Sequence, residues 1–122
     1  MIIEKLRNKF RSIEQEPAER GAKLLDRACP DWHRRVYAPE IDVDSTYFCP
    51  LGQVYGDYFR GRRELRLSLY PNDPALSADA YYGFLSLHKK RRLNNAWRKA
   101  VKKRHKQDVN IGVFPTVKEV KI

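Results

Sequence analysis

Apolar side chains recur every three or four positions in several stretches of this chain, a spacing that is typical of amphipathic helices. Residues 1–15 predict an N-terminal amphipathic helix, in which Ile2, Leu6 and further apolar side chains are separated by charged ones. Residues 17–29 predict a second, short helix, because a proline suits the first helical position and Pro30 stops the helix.

The sharpest local pattern lies in the segment CPLGQVYGDYFRG, which begins at Cys49. Its apolar side chains are spaced as on one wide helical face: Leu51, Val54, Tyr55, Tyr58 and Phe59. Pro50 suits the first turn of such a helix, and Gly61 suits its end. Since Gly52 and Gly56 lie four positions apart inside the pattern, we expect both to face another element that packs closely against this helix.

Residues 89–106 predict a longer helix with two different sides. When residues are placed at 100° intervals, one side is an apolar seam of Leu93, Ala96, Trp97, Ala100 and Val101. Arg104 falls on this apolar side, where we expect the last turn of the helix to reach solvent. The period then changes to the alternation of a strand at Val109, Ile111 and Val113. Residues 107–122 therefore predict a short β tail.

Together these elements predict a mainly α fold of four or five short helices with a short β C-terminal tail, formed as one small domain over residues 1–122. The length allows a modest core, and 42% of the residues are hydrophobic. No apolar run approaches the ~20 residues that span a bilayer, and charges near the N-terminus argue against a signal peptide. Two cysteines make no disulfide framework. We therefore expect a protein of a reducing cytoplasm without a membrane partner.

The positive charge of the chain is concentrated in one segment. The 25 Lys and Arg residues exceed the 15 Asp and Glu residues by ten. All ten excess charges lie between Lys89 and Lys106, and the rest of the chain is balanced. A block of this kind indicates either an anionic partner or a solvated segment, whereas charge spread over the whole chain would indicate only solubility.

The side of the long helix opposite the apolar seam is the candidate nucleic-acid-binding site. We assign to this site Lys89, Lys90, Arg91, Arg92, Arg98, Lys99, Lys102, Lys103 and Lys106. Phosphates spaced along a strand match a row of positive charges, and their counterions are released on binding. Asn94 and Asn95 could add hydrogen bonds to phosphates or base edges. A merely solvated face remains the alternative, because like charges four apart oppose a helix by only about 0.2–0.5 kcal/mol per pair.

Other chemistry-bearing residues form weaker patterns. Cys29, His33 and Cys49 supply fewer ligands than a zinc site needs, so we expect no metal and no other cofactor. Cys49 precedes a possible helix start, where a thiolate would be stabilised, but no histidine is near it in sequence. Asp42 and Asp44 are most simply explained as solvated turn residues. The aromatics before the long helix either stack on bases or belong to the core: Tyr81, Tyr82 and Phe84.

Several short motifs of the chain resemble those of small proteins from actinobacteriophages and related prophages. The resemblance rests on the motifs GAKLLD, CPLGQVYGDY and LNNAW, with a tryptophan, an acidic IDVD element and a GF dipeptide between them. These lie at Gly21 to Asp26, Cys49 to Tyr58, Leu93 to Trp97, Trp32, Ile41 to Asp44, and Gly83 to Phe84. The group has no assigned activity, so the resemblance implies a phage accessory protein in the host cytoplasm and no catalytic residue.

The resulting functional prediction is a small, non-enzymatic phage or prophage protein that binds nucleic acid through its basic helix. One alternative is an inhibitor that docks on a host protein, such as a nuclease, a polymerase or a defence complex, because a basic helix can meet an acidic active site. A minor structural protein of the virion is a further alternative. The choice between DNA and RNA, the sequence specificity and the oligomeric state stay open at this point.

Overall fold

A computed structural model describes residues 16–67, 78–86, 89–110 and 112 of the chain. The described residues are mainly helical, which confirms the mainly α part of the predicted fold, and they contain no β-strand. They include six α-helices, where the sequence predicted four or five. The helices are α1 (residues 16–28), α2 (Trp32–Arg35), α3 (Pro50–Tyr55), α4 (Tyr58–Glu64), α5 (Ala78–Tyr81) and α6 (Lys90–Asn110), with a 3-10 turn at Ala38–Glu40. The predicted helix over residues 1–15 lies outside the described residues.

Helix α6 is the longest element, and its apolar seam is buried as predicted. Its 21 residues span about 31 Å. Trp97 is fully buried; its ring stacks on Phe84 at 5.5 Å and meets Trp32 edge-on at 5.8 Å between ring centroids. The indole N–H of Trp97 donates to the carbonyl of Gly83 at 2.7 Å, so the ring is buried without an unsatisfied donor.

Helix α1 packs against the same tryptophan at Gly21. Ala18, Ala22 and Leu25 are fully buried in the core cluster. A methyl group added at Gly21 would lie 2.8 Å from the ring of Trp97, so only glycine allows this approach of the two elements. The close contact fixes α1 along the buried side of α6.

A buried polar contact joins α4 to α5. Tyr58 donates a hydrogen bond from its hydroxyl to Asp79, and Arg62 Nε lies 2.8 Å from the same carboxylate. Burial, reinforced by Asp79, raises the pKa of the Tyr58 hydroxyl. The tyrosine therefore stays protonated, and the contact holds α5 against α4.

The C-terminal end of α6 differs from the prediction in two ways. Residues 107–110, assigned to the β tail, are helical, and the remainder of that tail lies outside the described residues apart from Gly112. Asp108 explains the extension, because it pairs with His33 and Arg34 of α2 and holds the last turns of α6 against that helix. Arg104 does not reach solvent: it is only 9% exposed and pairs with Asp26.

The predicted single helix from Pro50 onwards is two helices, because Gly56 ends α3. Gly56 has a φ of +104°, which L-residues rarely adopt, and Asp57 then accepts from the backbone N–H of Arg60 to begin α4. Gly56 faces open space, so its predicted close packing is wrong. The prediction holds for Gly52, where an added methyl group would lie 2.5 Å from the carbonyl oxygen of Thr46.

Among the described helices, none combines the length and the apolar character needed to cross a membrane.

Candidate nucleic-acid interface

The outer side of α6 carries a continuous row of basic side chains. Six of the predicted residues lie within an arc of about 120° at 100° per residue, and all six are exposed. We call them the basic face: Arg91, Arg92, Lys99, Lys102, Lys103 and Lys106. From the first to the last of them the helix rises about 22 Å, so the charges form an elongated strip along one side of the helix.

These six charges have no counter-ion within the described part of the protein. None of them lies within 4 Å of a carboxylate there. Lys99 and Lys103, like Lys102 and Lys106, are four positions apart, so their repulsion opposes the helix. The helix tolerates this cost because its opposite side is anchored by Trp97 and the rest of the buried seam. A cluster of unneutralised positive charge raises the local concentration of anionic partners at the surface.

Arg98 belongs to the predicted site by sequence but is engaged within the fold. Its Nε donates to the carbonyl of Ala38 at 3.1 Å, and its Nη2 donates to the carbonyl of Ile41 at 3.0 Å. A third hydrogen bond joins Nη1 to Asn95 Oδ1 at 3.0 Å. The guanidinium therefore holds the 3-10 turn against α6, and its N–H groups are largely committed to that role.

Lys89 and Lys90 extend the row of charges at the N-terminal end of α6, and both side chains are exposed. Lys90 Nζ lies 3.5 Å from Asp42 and 3.7 Å from Asp44. Asp44 in turn donates its backbone N–H to Asp42 Oδ1 at 3.0 Å, which is a turn of the predicted kind. The two carboxylates therefore offset part of the charge at this end of the helix.

The two asparagines of α6 have different environments. Asn94 is 7% exposed, and its Oδ1 accepts from the backbone N–H of Val43 at 2.8 Å. It therefore holds a loop against the helix and is turned away from any nucleic acid. Asn95 is exposed on the same arc as the basic face, where it can reach a phosphate.

The loop held by Asn94 presents two aromatic side chains that sequence reasoning missed. This segment, residues 42–49, is here called the aromatic loop. Tyr47 is 66% exposed and Phe48 is 50% exposed. The sequence signal was a pair of adjacent aromatics in a turn rich in aspartate, serine and threonine, but the pattern did not show on which side they lie. The aromatic loop also lines a cleft of about 170 Å³, together with Tyr58 and Phe84.

The aromatics predicted as stacking or core residues divide between the two roles. Phe84 is buried and stacks on Trp97, and Tyr82 packs against the core. Tyr81 is exposed, but the guanidinium of Arg20 lies 4.1 Å from its ring centroid. One face of the Tyr81 ring is therefore already occupied.

The residues considered for metal binding are distributed through the fold. The described residues contain no group of three His, Cys, Asp or Glu side chains arranged for a metal ion. Cys29 donates to Asp31, whereas His33 lies 2.7 Å from Asp108. Cys49 caps α3 by accepting from the N–H of Gly52 at 3.2 Å. Burial raises the pKa of the Cys49 thiol, so the helix start does not make it a reactive thiolate.

Comparisons with protein-family models, with curated proteins and with solved structures found no match to this chain. The geometry of α6 and of the aromatic loop is therefore the basis for assigning a function.

Proposed function

We propose that this protein is a small, non-enzymatic nucleic-acid-binding protein that contacts phosphates through the basic face of α6. The observation that carries the proposal is the row of six exposed Lys and Arg side chains without a carboxylate within 4 Å among the described residues. From the resemblance of the sequence to actinobacteriophage and prophage proteins, we further propose an accessory role in the host cytoplasm.

Phosphate binding explains the arrangement better than solvation does. A face that only has to be soluble needs charged residues of either sign, and interspersed acidic residues would relieve the repulsion among the lysines and arginines. Here the segment from Lys89 to Gln107 has no acidic residue, although the rest of the chain has as many acidic as basic residues. The buried seam also holds the charges on a helix that is already formed. Binding therefore has to order only the Lys and Arg side chains and not the backbone that carries them.

A host protein with an acidic surface is the second candidate partner, because the same row of charge is complementary to it. The exposed Tyr47, Phe48 and Phe59 favour this candidate, since aromatic side chains are enriched in protein interfaces. An inhibitor of a nuclease, a polymerase or a defence complex would use both features. A minor structural protein of the virion is a further candidate on the same grounds.

Binding to nucleic acid can be tested on the purified protein. We expect the protein to carry nucleic acid, seen as a raised ratio of absorbance at 260 to 280 nm, and to lose it in a high-salt wash. After the wash it should bind a 20-nucleotide DNA or RNA at low salt. Replacing Lys99, Lys102, Lys103 and Lys106 together by alanine should abolish most of this binding.

A matched control removes four positive charges from other surfaces. Lys23, Arg27, Arg60 and Arg63 are all exposed and lie on α1 and α4. Replacing these four by alanine changes the net charge equally and should leave most of the affinity. Equal losses in the two quadruple variants would show that net charge alone, and not the basic face, attracts the nucleic acid. Capture of one acidic host protein by a preparation that binds no nucleic acid would favour the inhibitor.

A further inference from the structure

We propose that the aromatic loop extends the basic face into a site for single-stranded nucleic acid, in which unpaired bases stack on Tyr47 and Phe48. The inference rests on the proposed function and adds to it a choice between single strands and duplexes. Aromatic rings beside a charged groove are the recurring means by which proteins bind single strands, because every base has a face that can stack.

The loop contacts the N-terminal half of α6 at Lys90 and Asn94, on the side of Arg91 where the basic face begins. Asp42 contacts Lys90 of α6 at 3.5 Å, and its backbone N–H donates to the carbonyl of Phe48 at 3.2 Å. Asp42 therefore links Phe48 to α6, because it contacts one residue on each side. Asn94 adds a second attachment through the N–H of Val43, at 2.8 Å.

The attachments also show on which side of α6 the loop lies. Arg91 lies at one edge of the arc that the basic face occupies. At 100° per residue, Asn94 and Arg98 lie about 60° and 20° beyond that edge. Both residues contact the segment that leads into or forms the loop, through Val43 and Ile41. The loop therefore borders the basic face, and a strand leaving Arg91 or Asn95 on that side meets it.

The loop is held rigidly, which suits it for stacking. Ser45 Oγ accepts from the backbone N–H groups of Tyr47 at 3.3 Å and Phe48 at 3.0 Å. The side chain of Gln53 donates to the carbonyl of Phe48 at 2.9 Å and so ties the loop to α3. Gly52 packs against the backbone of the loop with no room for a side chain. Rings presented on such a fixed backbone lose little conformational entropy when a base stacks on them.

The charges of the loop favour bases over phosphates as its ligands. Asp42 and Asp44 are partly exposed, and Lys90 offsets only part of their charge. Phosphates are therefore drawn to α6 and away from the loop, so a bound strand turns its bases towards Tyr47 and Phe48. A duplex keeps its base faces covered along its length, so only a single strand can use both surfaces.

The test compares three probes of 20 nucleotides: oligothymidine, an abasic strand of the same charge, and a duplex. We expect the parent protein to bind oligothymidine more tightly than the abasic strand. The double variant Tyr47→Leu/Phe48→Leu should lose about tenfold or more on oligothymidine and little on the abasic strand and the duplex. Its salt dependence should match that of the parent, because no phosphate contact is removed.

Leucine keeps apolar surface at both positions but cannot stack, and both side chains are exposed, so the variant should melt as the parent does. Tyr81→Leu is the control for loss of an exposed aromatic elsewhere and should bind normally. Equal binding of oligothymidine by parent and double variant would overturn the inference while leaving the proposed function intact. The inference would also be overturned if the double variant lost as much affinity for the abasic strand as for oligothymidine. It would be overturned as well if the double variant bound all three probes normally and lost only the capture of a host protein. Failure of the parent to bind any of the three probes would instead overturn the proposed function, and this inference with it.

Discussion

Arg104 and Asp26 form a two-pronged ion pair between α6 and α1, with Nε–Oδ1 at 2.9 Å and Nη2–Oδ2 at 2.8 Å. The guanidinium also lies 5.5 Å from the ring centroid of Trp32, and the indole N–H of that residue donates to the same carboxylate at 2.8 Å. One carboxylate thus joins α1, α2 and α6, which together hold the basic face in place.

Removing the Asp26 carboxylate should destabilise the protein. Asp26→Ala leaves a largely buried guanidinium and a buried indole N–H without their acceptor, and we expect a loss of about 1–3 kcal/mol in the free energy of unfolding. The carboxylate is partly exposed, so water limits the cost. Denaturant unfolding measures the effect. Glu64→Ala, which removes an exposed carboxylate from α4, is the control; an equally small change in both variants would contradict the assigned role.

Stability should fall in acid through the carboxylates that pair with α2 and α6. The hydrogen bond from Arg34, with His33 beside it, lowers the pKa of Asp108 from 3.8 to about 2. Burial alone would raise the pKa of Asp26, but hydrogen bonds from Arg104 and Trp32 lower it. A carboxylate with a lowered pKa stabilises the fold above its unfolded pKa and loses that contribution as pH falls through its folded pKa. We therefore expect the melting temperature to drop between about pH 4 and pH 2.

The variant Asp108→Asn provides the check on that pH dependence. It should lower stability near neutral pH and flatten the drop in melting temperature between pH 4 and pH 2, because one titrating group is removed. A parent protein with a constant melting temperature over this interval would contradict the pairing of these carboxylates.

The sequence predicted α6 and its buried seam well because both depend on local spacing. Leu93, Trp97 and Val101 lie on one side of any helix formed there, whatever the rest of the chain does. Arg104 was misplaced because its partner is 78 residues away in sequence and no local pattern reveals it. The break at Gly56 was missed because the apolar spacing continues across it, and the φ of one residue decided the outcome.

The two glycines of the α3 segment should respond differently to substitution. Gly52→Ala places a methyl group against backbone atoms of Thr46 and Tyr47, which cannot move without displacing the aromatic loop. Gly56→Ala meets no neighbour but imposes a positive φ on an L-residue, at a cost of about 1–3 kcal/mol. Thermal melts should show both variants destabilised. Only Gly52→Ala should also weaken binding of oligothymidine, and equal binding by the two variants would contradict the packing of the loop.

The candidate site was predictable in its charges but not in its aromatic part. Lysines such as Lys99 and Lys102 are exposed wherever a basic arc opposes an apolar seam, so their sequence positions sufficed. Tyr47 and Phe48 are exposed only because the surrounding loop turns them outward, which depends on tertiary hydrogen bonds. Arg98 is the opposite case. Its position in the sequence assigned it to the site, but its side chain donates to carbonyl groups of a turn that is distant in sequence.

The two asparagines of α6 should separate stability from binding. Asn94→Ala leaves the buried N–H of Val43 without its acceptor, so we expect a loss of about 1–3 kcal/mol in the free energy of unfolding. Asn95→Ala removes an exposed side chain whose hydrogen bond from Arg98 is also exposed, so it should change stability by less than about 0.5 kcal/mol. Denaturant unfolding measures the stability of both variants. If Asn95→Ala were destabilised and Asn94→Ala were as stable as the parent, the environments assigned to the two residues would be wrong.

The central claim is that the basic face contacts phosphates, and the salt dependence of binding tests it most directly. If Lys99, Lys102, Lys103 and Lys106 each neutralise one phosphate, these four lysines should contribute a slope of about −3.6 on duplex, at −0.9 per phosphate, or about −2.8 on single strands, at −0.7 per phosphate, to a plot of log affinity against log salt. Lys102→Ala should reduce the magnitude of that slope by about one. Arg98→Ala removes the same charge from a residue engaged within the fold, so it should lower stability and leave the slope nearly unchanged. A parent slope near zero, an unchanged slope in Lys102→Ala, or no binding at low salt would contradict the account.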